Sequence, residues 1–272
     1  MKKLFIEIAC ITSVFVLASC SSMYIPSMGN APLLDKKGDG LGELSLTTNA
    51  VQMSGDYAIT DHLAAMGSVN ISYGNFTDSY DIYTNKGTDS TALSEMTHWG
   101  KFNNRHYEVG AGYYNMFNKD HFKMEAFGGL GFCHATDTNA HITNGSEKYD
   151  SRYTMLFGQL NTGFTTKVVD FGLAFRVAPT FHALHWDCNY DPSASKTNST
   201  KTDHFTIWHF EPLLFLRLGY DHFKVSAKAG ISFIGNTKSY QETLDKIPNT
   251  MYSKTTLMHF SIGACYVFNT NK

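Results

Sequence analysis

The chain has 272 residues, a formal net charge of −2 and only 17% charged residues, which excludes the basic character of nucleic-acid-binding proteins. Aromatic residues make up 14%, with 20 Phe and 15 Tyr, while Pro numbers only 6, a balance that favours β-strands over helices. After residue 20 no apolar run is long enough for a transmembrane helix. Any membrane-spanning part must therefore be a closed β-barrel, whose strands satisfy one another's backbone groups in lipid.

The first twenty residues have the order of a secretion signal. Two lysines begin an apolar stretch that runs to Val16, and Leu17-Ala18-Ser19-Cys20 then places small residues before a cysteine. These four residues resemble the lipobox of bacterial lipoproteins. The resemblance implies that residues 1–19 are a signal peptide, that Cys20 carries a covalent lipid, and that residues 20–40 form a lipid-anchored linker.

Most of the remaining chain alternates between apolar and polar residues with a period of two, which predicts β-strands. The segment 152–167 alternates poorly, because Met155 and Phe157 compete with Leu156 and Leu160 for the apolar face. We predict about ten strands, with 8–12 as the range, at 41–48, 51–60, 62–74, 104–117, 120–134, 152–167, 169–181, 205–220, 221–235 and 255–268.

The connections alternate in length. Tight turns are expected near 60–62, 118–120, 167–168 and 220–222, and long polar loops near 75–103, 135–151, 182–204 and 236–254. This is the habit of outer-membrane barrels, with long loops outside the cell and both chain ends at the periplasmic rim. The sequence thus predicts an all-β, closed antiparallel up-and-down transmembrane barrel over 41–268, followed by a short tail at 269–272.

The polar face of these strands indicates which side faces lipid. It is rich in Gly, Ala and Ser, which suit the crowded interior of a narrow barrel, whereas a soluble barrel would present large charged residues there. The apolar face also carries aromatic residues near both strand ends, the pattern of interfacial girdles. We therefore expect the apolar face to contact lipid.

Charged residues on the polar face predict an ion network in the lumen, because buried charges must be paired. Two interpretations stay open: a polar pore lining, or a packed interior, which a ten-stranded barrel favours. The acidic members lie mainly on early strands and the basic members mainly on later ones, and the full set is Glu43, Asp56, Glu108, Glu125, Lys123, Arg176, Glu211, Arg217, Lys224 and Lys228.

The final strand contains Gly263-x-x-Tyr266-x-Phe268, which resembles the C-terminal signal read by the barrel-assembly machinery of Gram-negative bacteria. The body of the chain also resembles outer-membrane β-barrel proteins in segment length and turn spacing. The resemblance implies a location in the bacterial outer membrane, with outer-membrane lipids and the assembly machinery as partners.

Two clusters are candidates for chemistry. His182, His185, Asp187 and Cys188 have residue types that ligate transition metals, as a weak candidate site. The ten strands also invite comparison with omptin proteases, barrels that use Asp and His residues at the outer rim, where Asp203-His204 and His185 with Asp187 are expected.

These patterns favour a non-enzymatic outer-membrane barrel lipoprotein that is structural or binds a ligand or partner through four surface loops. The polar loops suit contacts with an extracellular protein or glycan. A narrow channel and an omptin-like rim hydrolase are the alternatives. We expect no metal and no cofactor beyond the lipid on Cys20.

Overall fold

The computed structural model of the chain describes residues 24, 26–47, 50–83, 93–114, 121–141, 145–190, 199–220, 222–235, 237–244 and 257–269. Each strand pairs antiparallel with the next, and β1 pairs with β10 to close the barrel. The prediction of a closed, ten-stranded antiparallel barrel is confirmed. The strands are β1 Asp39–Thr47, β2 Val51–Ala58, β3 Leu63–Tyr83, β4 Leu93–Tyr113, β5 Phe122–His141, β6 Gly145–Thr165, β7 Val169–Tyr190, β8 Ser199–Tyr220, β9 Phe223–Gly235 and β10 Leu257–Asn269.

The strands are strongly tilted. Following the paired residues from Leu46 through β10 and β9 leads to Leu216 on β8, whereas following them through β2 to β7 leads to His204, twelve residues away on the same strand. A stagger of this size in ten strands corresponds to a tilt of about 40°. We call the end with the tight turns the short-turn rim and the opposite end the long-loop rim.

An apolar band surrounds the barrel. On β8 the outward-facing residues are apolar from Leu218 to Trp208, and they become polar beyond it, beginning with Thr206. From Tyr220 to Trp208 a strand with this tilt rises about 30 Å, the thickness of the hydrocarbon core of a bilayer. Aromatic residues lie at both edges, with Tyr220 and Phe223 near the short-turn rim and Trp208 and Phe181 at the other edge.

The wall of the barrel has two heights. The strands β9, β10, β1 and β2 have 8–13 residues, and we call them the low wall. The strands β3–β8 have 20–22 residues, and we call them the tall wall. Paired residues lead from Thr47 at the end of β1 to Phe215 on β8. Because the tilt adds about 1.2 residues of stagger per strand, the residue of β8 at the same height above the short-turn rim as Thr47 is Glu211. The low wall therefore ends near the upper edge of the apolar band.

The tall wall corrects the predicted loops. The stretches expected as loops near 75–103, 135–151 and 182–204 belong in large part to β3–β8, so those three predictions were wrong in extent. Beyond the band the outward-facing residues meet water and are polar, as His185 and Thr202 are. The contrast between the two faces is lost there, although the ladder of backbone hydrogen bonds continues.

Helix is scarce in the described residues. One helix, α1 Lys238–Leu244, packs against β8 near the long-loop rim. No helix in the ranges given above is long and apolar enough to cross a membrane. Cys133, Cys188 and Cys265 are buried with free thiols.

Candidate functional site

The candidate site is the lumen of the barrel, where the strands bury an unusual number of charged side chains. Small residues leave room for them: a Cβ on Gly131, for example, would lie 2.7 Å from the side chain of Met155. All ten residues of the expected ion network are inward-facing and less than one-tenth exposed.

Arg176 joins two of the carboxylates across the lumen. Its guanidinium donates to Glu108 at 2.6 and 3.2 Å and lies 3.7 Å from the Glu211 carboxylate. The ring of Phe157 packs 4.3 Å from the guanidinium carbon, and the sulfur of Met155 also contacts it. Met155 and Phe157, which obscured the alternation in the sequence, thus point inward and contact this buried cation.

The lysines of the later strands complete the network. The Lys228 ammonium lies 2.9 Å from Glu43, and the Lys224 ammonium lies 2.7 Å from Asp170. Arg217 also faces Asp170, at 3.9 Å. Asp170 was not among the residues expected in the network, and it lies near the short-turn rim as the second residue of β7.

Two predicted members form no ion pair within 4 Å in the described part of the chain. Glu125 accepts hydrogen bonds from the backbone N–H of Leu34 at 2.6 Å and from the amide of Asn161 at 3.1 Å. Asp56 is buried, and its Oδ1 atom has no hydrogen-bond partner among the described residues. Lys123, the remaining member, pairs with Asp35 at 3.4 Å.

The lumen is filled by the chain segment that precedes β1. Residues 24 and 26–38 form this segment, which we call the lumen segment, and its residues from Pro26 to Leu34 are all buried. It adopts neither helix nor strand. Pro26 and Pro32 lack a backbone N–H, so they leave two fewer buried donors to satisfy.

Side chains of the barrel strands form hydrogen bonds with the backbone of the lumen segment, in place of those that a helix or strand would form within itself. Gln52 accepts from the N–H of Met28 at 2.9 Å, and Lys228 donates to the carbonyls of Met28 and Gly29 at 3.3 and 3.2 Å. Further donors to the backbone carbonyls of the segment are Lys123 to Leu33, Gln159 and Asn161 to Asn30, and Arg217 to Ala31. The charged side chains of the lumen therefore form ion pairs with one another and also hydrogen-bond to the backbone of the lumen segment.

The lumen segment runs with its N-terminal end towards the long-loop rim. Asp35 pairs with Lys123, the second residue of β5 at the short-turn rim. The N–H of Met28 donates to Gln52, the second residue of β2, at the end of that strand away from the short-turn rim. The hydroxyl of Tyr24 donates to Glu211 at 2.7 Å, level with the end of the low wall.

This placement differs from our expectation for the linker. We expected residues 20–40 to lead from a periplasmic anchor to the barrel, but their described part rises through the lumen instead. Asp39 and Asn269 do meet at the short-turn rim, where β1 and β10 pair. Cys20 itself lies outside the described residues.

An apolar cluster packs above Tyr24 on the side of the tall wall. The cluster contains Tyr149, Leu184, Trp186, Cys188, Phe205, Ile207 and Tyr240, with Ile234 against it. Tyr240 comes from α1, and burial raises the pKa of its hydroxyl. The lumen above the ion network is thus closed by apolar packing on this side.

The candidate metal ligands do not converge. His182 and Cys188 face the interior, whereas His185 and Asp187 face outwards on the same strand. His182 contacts Thr180 and stacks on Phe205, and His185 contacts Thr202. No group of three or more metal-binding side chains lies together in the described residues.

The candidate rim hydrolase residues are divided in the same way. Asp203 faces inwards and accepts a hydrogen bond from Thr243 at 3.1 Å, whereas His204 faces outwards. Asp203 and His204 are therefore separated by the wall of the barrel. His185 and Asp187 lie on the outer surface, where His185 contacts Thr202 and Asp187 accepts from Thr200.

The candidate assembly residues lie along β10. Gly263 faces the lumen, where a Cβ would lie 2.7 Å from Ser45 and 2.8 Å from the Ser226 hydroxyl. Tyr266 packs against Phe223 with ring centroids 5.1 Å apart, and Phe268 stacks on Tyr57 at 6.2 Å. Both aromatic rings belong to the girdle at the short-turn rim.

Comparisons with known proteins support the architecture. The outer membrane protease OmpT from Escherichia coli is similar, with a TM-score of 0.56 and 10% identity over 86% of this chain and 94% of that chain. The fold is that of an outer-membrane β-barrel. The translocator domain of autotransporter NalP from Neisseria meningitidis (TM-score 0.47, 8% identity, 84% and 87% covered) and CarO2 from Acinetobacter baumannii (0.33, 8%, 86% and 100%) also match. No protein-family model and no curated protein sequence matches this chain.

Sequence reasoning missed the polar residues that hold the lumen segment, among them Gln52, Gln159 and Asn161. A signal was present, because Gln52 and Asn161 occupy inward positions of predicted strands. Side-chain amides on a buried face require hydrogen-bond partners, and their presence indicates that other polar groups lie within the lumen. The partner proved to be the backbone of the lumen segment.

Proposed function

We propose that the chain is a closed, non-enzymatic outer-membrane lipoprotein, anchored through Cys20, that binds an external protein or glycan through the surface at its long-loop rim. The short turns and the paired ends of β1 and β10, at Asp39 and Asn269, would face the periplasm, as is usual for such barrels. The observation that carries the proposal is the lumen segment, which fills the interior from the short-turn rim to the level of Glu211.

The filled lumen disfavours a channel. Lys123, Arg217 and Lys228 donate to the backbone of the lumen segment, and these are the cations that an open pore would offer to passing ions. The segment also buries Met28 and Leu33 against Ala174, Leu213 and Phe215, an apolar contact that water does not cross readily. A conducting state would require the segment to leave.

The surface above the membrane favours binding. The tall wall continues beyond the apolar band for about eight residues per strand, which lifts a curved sheet of polar residues some 20 Å above the bilayer. Its outer face presents Arg152, Lys148, His185 and His204, side chains suited to polar contacts with proteins or glycans. Nothing comparable projects from the short-turn rim among the described residues.

The rim hydrolase is the weaker alternative. The similarity to OmpT is at 10% identity, which concerns the fold alone. Asp203 and His204 lie on opposite faces of β8. His185 and Asp187 share the outer face of β7, but they contact Thr202 and Thr200, so neither pair has the mutual positioning that a general base requires.

Assembly of the barrel would involve outer-membrane lipids and the barrel-assembly machinery as partners. Gly263, Tyr266 and Phe268 are the residues that we propose the machinery reads. Substituting both aromatic residues by Ala should lower the amount of folded protein in the membrane without affecting export.

Ion conductance in planar bilayers tests the closed state. The purified full-length protein should give no sustained current, and a variant lacking residues 24–34 should conduct, because water then fills the space that the segment leaves. The matched control replaces Lys36 and Lys37 by Ala, two exposed residues of the same segment outside the lumen, and should stay silent. Steady current through the wild type would refute the closed barrel.

A further inference from the structure

We propose that the N-terminal end of the mature chain leaves the barrel over the low wall, and that the lipid on Cys20 lies in an apolar groove on the outer face of β8, β9, β10 and β1. The lipid would then enter the outer leaflet of the membrane, not the inner one. This inference rests on the proposed lipidation of Cys20, but the path of the chain is tested separately below.

The first argument is the reach of the chain. Tyr24 contacts Glu211, which lies nine residues from the end of β8 at Tyr220, a rise of about 23 Å at this tilt. Cys20 is four residues before Tyr24, and four extended residues span at most about 14 Å. Cys20 therefore cannot return to the short-turn rim, and the lumen below Tyr24 is already occupied.

The second argument is the side on which the wall is low. Tyr24 lies level with the end of β1 and the start of β2, so these two strands of the low wall no longer enclose the chain beyond this point. On the opposite side the tall wall continues, and the apolar cluster that includes Trp186, Phe205 and Tyr240 fills the space next to it. Of the described parts of the barrel, the low wall gives the shortest path from the lumen to the membrane.

The third argument is the groove itself. It has a volume of about 920 Å³, it is apolar, and its outward-facing lining includes Leu46, Leu214, Ala227, Ala229, Phe260 and Ile262. Ala227 and Ala229 form a shallow floor, since their side chains are much shorter than those of the neighbouring strands. Leu46 is the residue before the end of β1, so the groove begins at the rim of the low wall and descends towards the middle of the apolar band.

The acyl chain of Cys20 is the occupant that best fits this groove. A chain held on a tether of four residues beside the rim is present at a high effective concentration there. The groove lies in the upper half of the band, at the depth that an acyl chain entering from the long-loop side would reach. Free lipids could also occupy the groove, but they lack the tether that keeps the acyl chain of Cys20 close to it.

Cysteine labelling tests the path of the chain. A membrane-impermeant maleimide should label Met23→Cys on intact cells, while Lys37→Cys, an exposed position at the short-turn rim, should react only after the outer membrane is permeabilised. The three native cysteines of the barrel are buried and give a low background. The proposal is overturned if Met23→Cys behaves like Lys37→Cys, or if it reacts only after denaturation.

A photoreactive fatty acid tests the groove. Cells would incorporate the fatty acid into the protein, and cross-linked peptides would be mapped after irradiation. We expect cross-links to concentrate in 223–235 and 257–269, to disappear in Cys20→Ser, and to fall sharply in Ala229→Trp, which fills the groove. The matched control Ala111→Trp, an exposed residue of β4 on the tall wall, should leave them unchanged.

The outcomes separate the two proposals. Absence of fatty acid from the wild-type protein contradicts the lipidation, while Met23→Cys still reports the path of the chain. Lipid that is present but cross-links evenly around the barrel leaves the lipoprotein intact and overturns its place in the groove.

Discussion

At the scale of single residues, Arg176 shows how this barrel tolerates charge in its interior. A buried cation is costly unless carboxylates and hydrogen bonds compensate for the lost water, and Arg176 has Glu108, Glu211 and the face of Phe157 around it. Removing the cation would leave Glu108 buried with only His106 and the Ser68 hydroxyl as polar neighbours among the described residues. Loss of one partner of such a buried pair strongly destabilises a protein, because the other charge stays buried without compensation.

Replacing Arg176 by Met should therefore lower the free energy of unfolding by about 3–5 kcal/mol. Urea-induced unfolding of the barrel in lipid vesicles would measure it. The matched control is Arg152→Met, because the Arg152 side chain is 73% exposed and its pair with Asp150 should contribute less than about 1 kcal/mol. Equal effects in the two variants would contradict the buried network. The double variant Glu108→Gln/Arg176→Met should recover part of the loss.

A second residue-scale prediction concerns the lipid face. Leu173 is 50% exposed on the outer face of β7, near the middle of the apolar band, so Leu173→Arg should cost about 2–4 kcal/mol in a bilayer. His185→Arg places the same side chain on the same face of the same strand beyond the band, and it should change stability by about 0.5 kcal/mol or less. The comparison uses the same unfolding measurement, and a similar cost at both positions would mean that the band does not face lipid.

At the scale of strands, sequence patterns were reliable only where one face met lipid. Between Val169 and Phe181 the two faces differ sharply, and the prediction gave β7 its correct start and direction. Past Phe181 the outer face meets water while the inner face carries Leu184 and Trp186, so the polarity is reversed. A reader of the sequence who looks for one constant pattern ends the strand there and assigns a loop.

Labelling of single cysteines along β7 should reveal this reversal. A lipid-soluble reagent should modify 171, 173, 175 and 177, and a membrane-impermeant reagent should modify 183, 185 and 187. Positions 174, 178, 184 and 186 should resist both, since they face the filled interior. Reactivity without a period of two beyond residue 181 would show that the strand ends there, as the sequence alone predicted.

At the scale of the whole molecule, the sequence predicted the barrel and its charged interior but not what fills it. Between Tyr24 and Leu34 there is no periodicity to detect, because the segment forms no regular element. Its partners, such as Gln52, Glu125 and Lys228, lie on different strands and come together only when the barrel closes. The packed interior was expected because a ten-stranded barrel is narrow. Which residues fill it could not be predicted, because the lumen segment is held by contacts that exist only in the folded barrel.

The orientation of the molecule in the membrane can be tested with a matched pair of lysines. Lys201 is exposed on β8 above the band, and Lys167 is exposed in the turn between β6 and β7. In intact cells an impermeant maleimide should reach Lys201→Cys and not Lys167→Cys, and permeabilisation should make both reactive. The reverse pattern would place the long-loop rim in the periplasm.

The position of the lumen segment has a consequence for the order of assembly. The segment is continuous with β1 at Asp39, and the barrel is sealed by the nine residue pairs that join β1 to β10. A chain end that bears acyl groups would have to be dragged through a narrow polar tube if the ring were complete first. With the chain path that we propose, the ring would form around the segment, so that β1 and β10 pair last. Transfer of the proposed lipid to the far leaflet and sealing of the barrel would then be a single event.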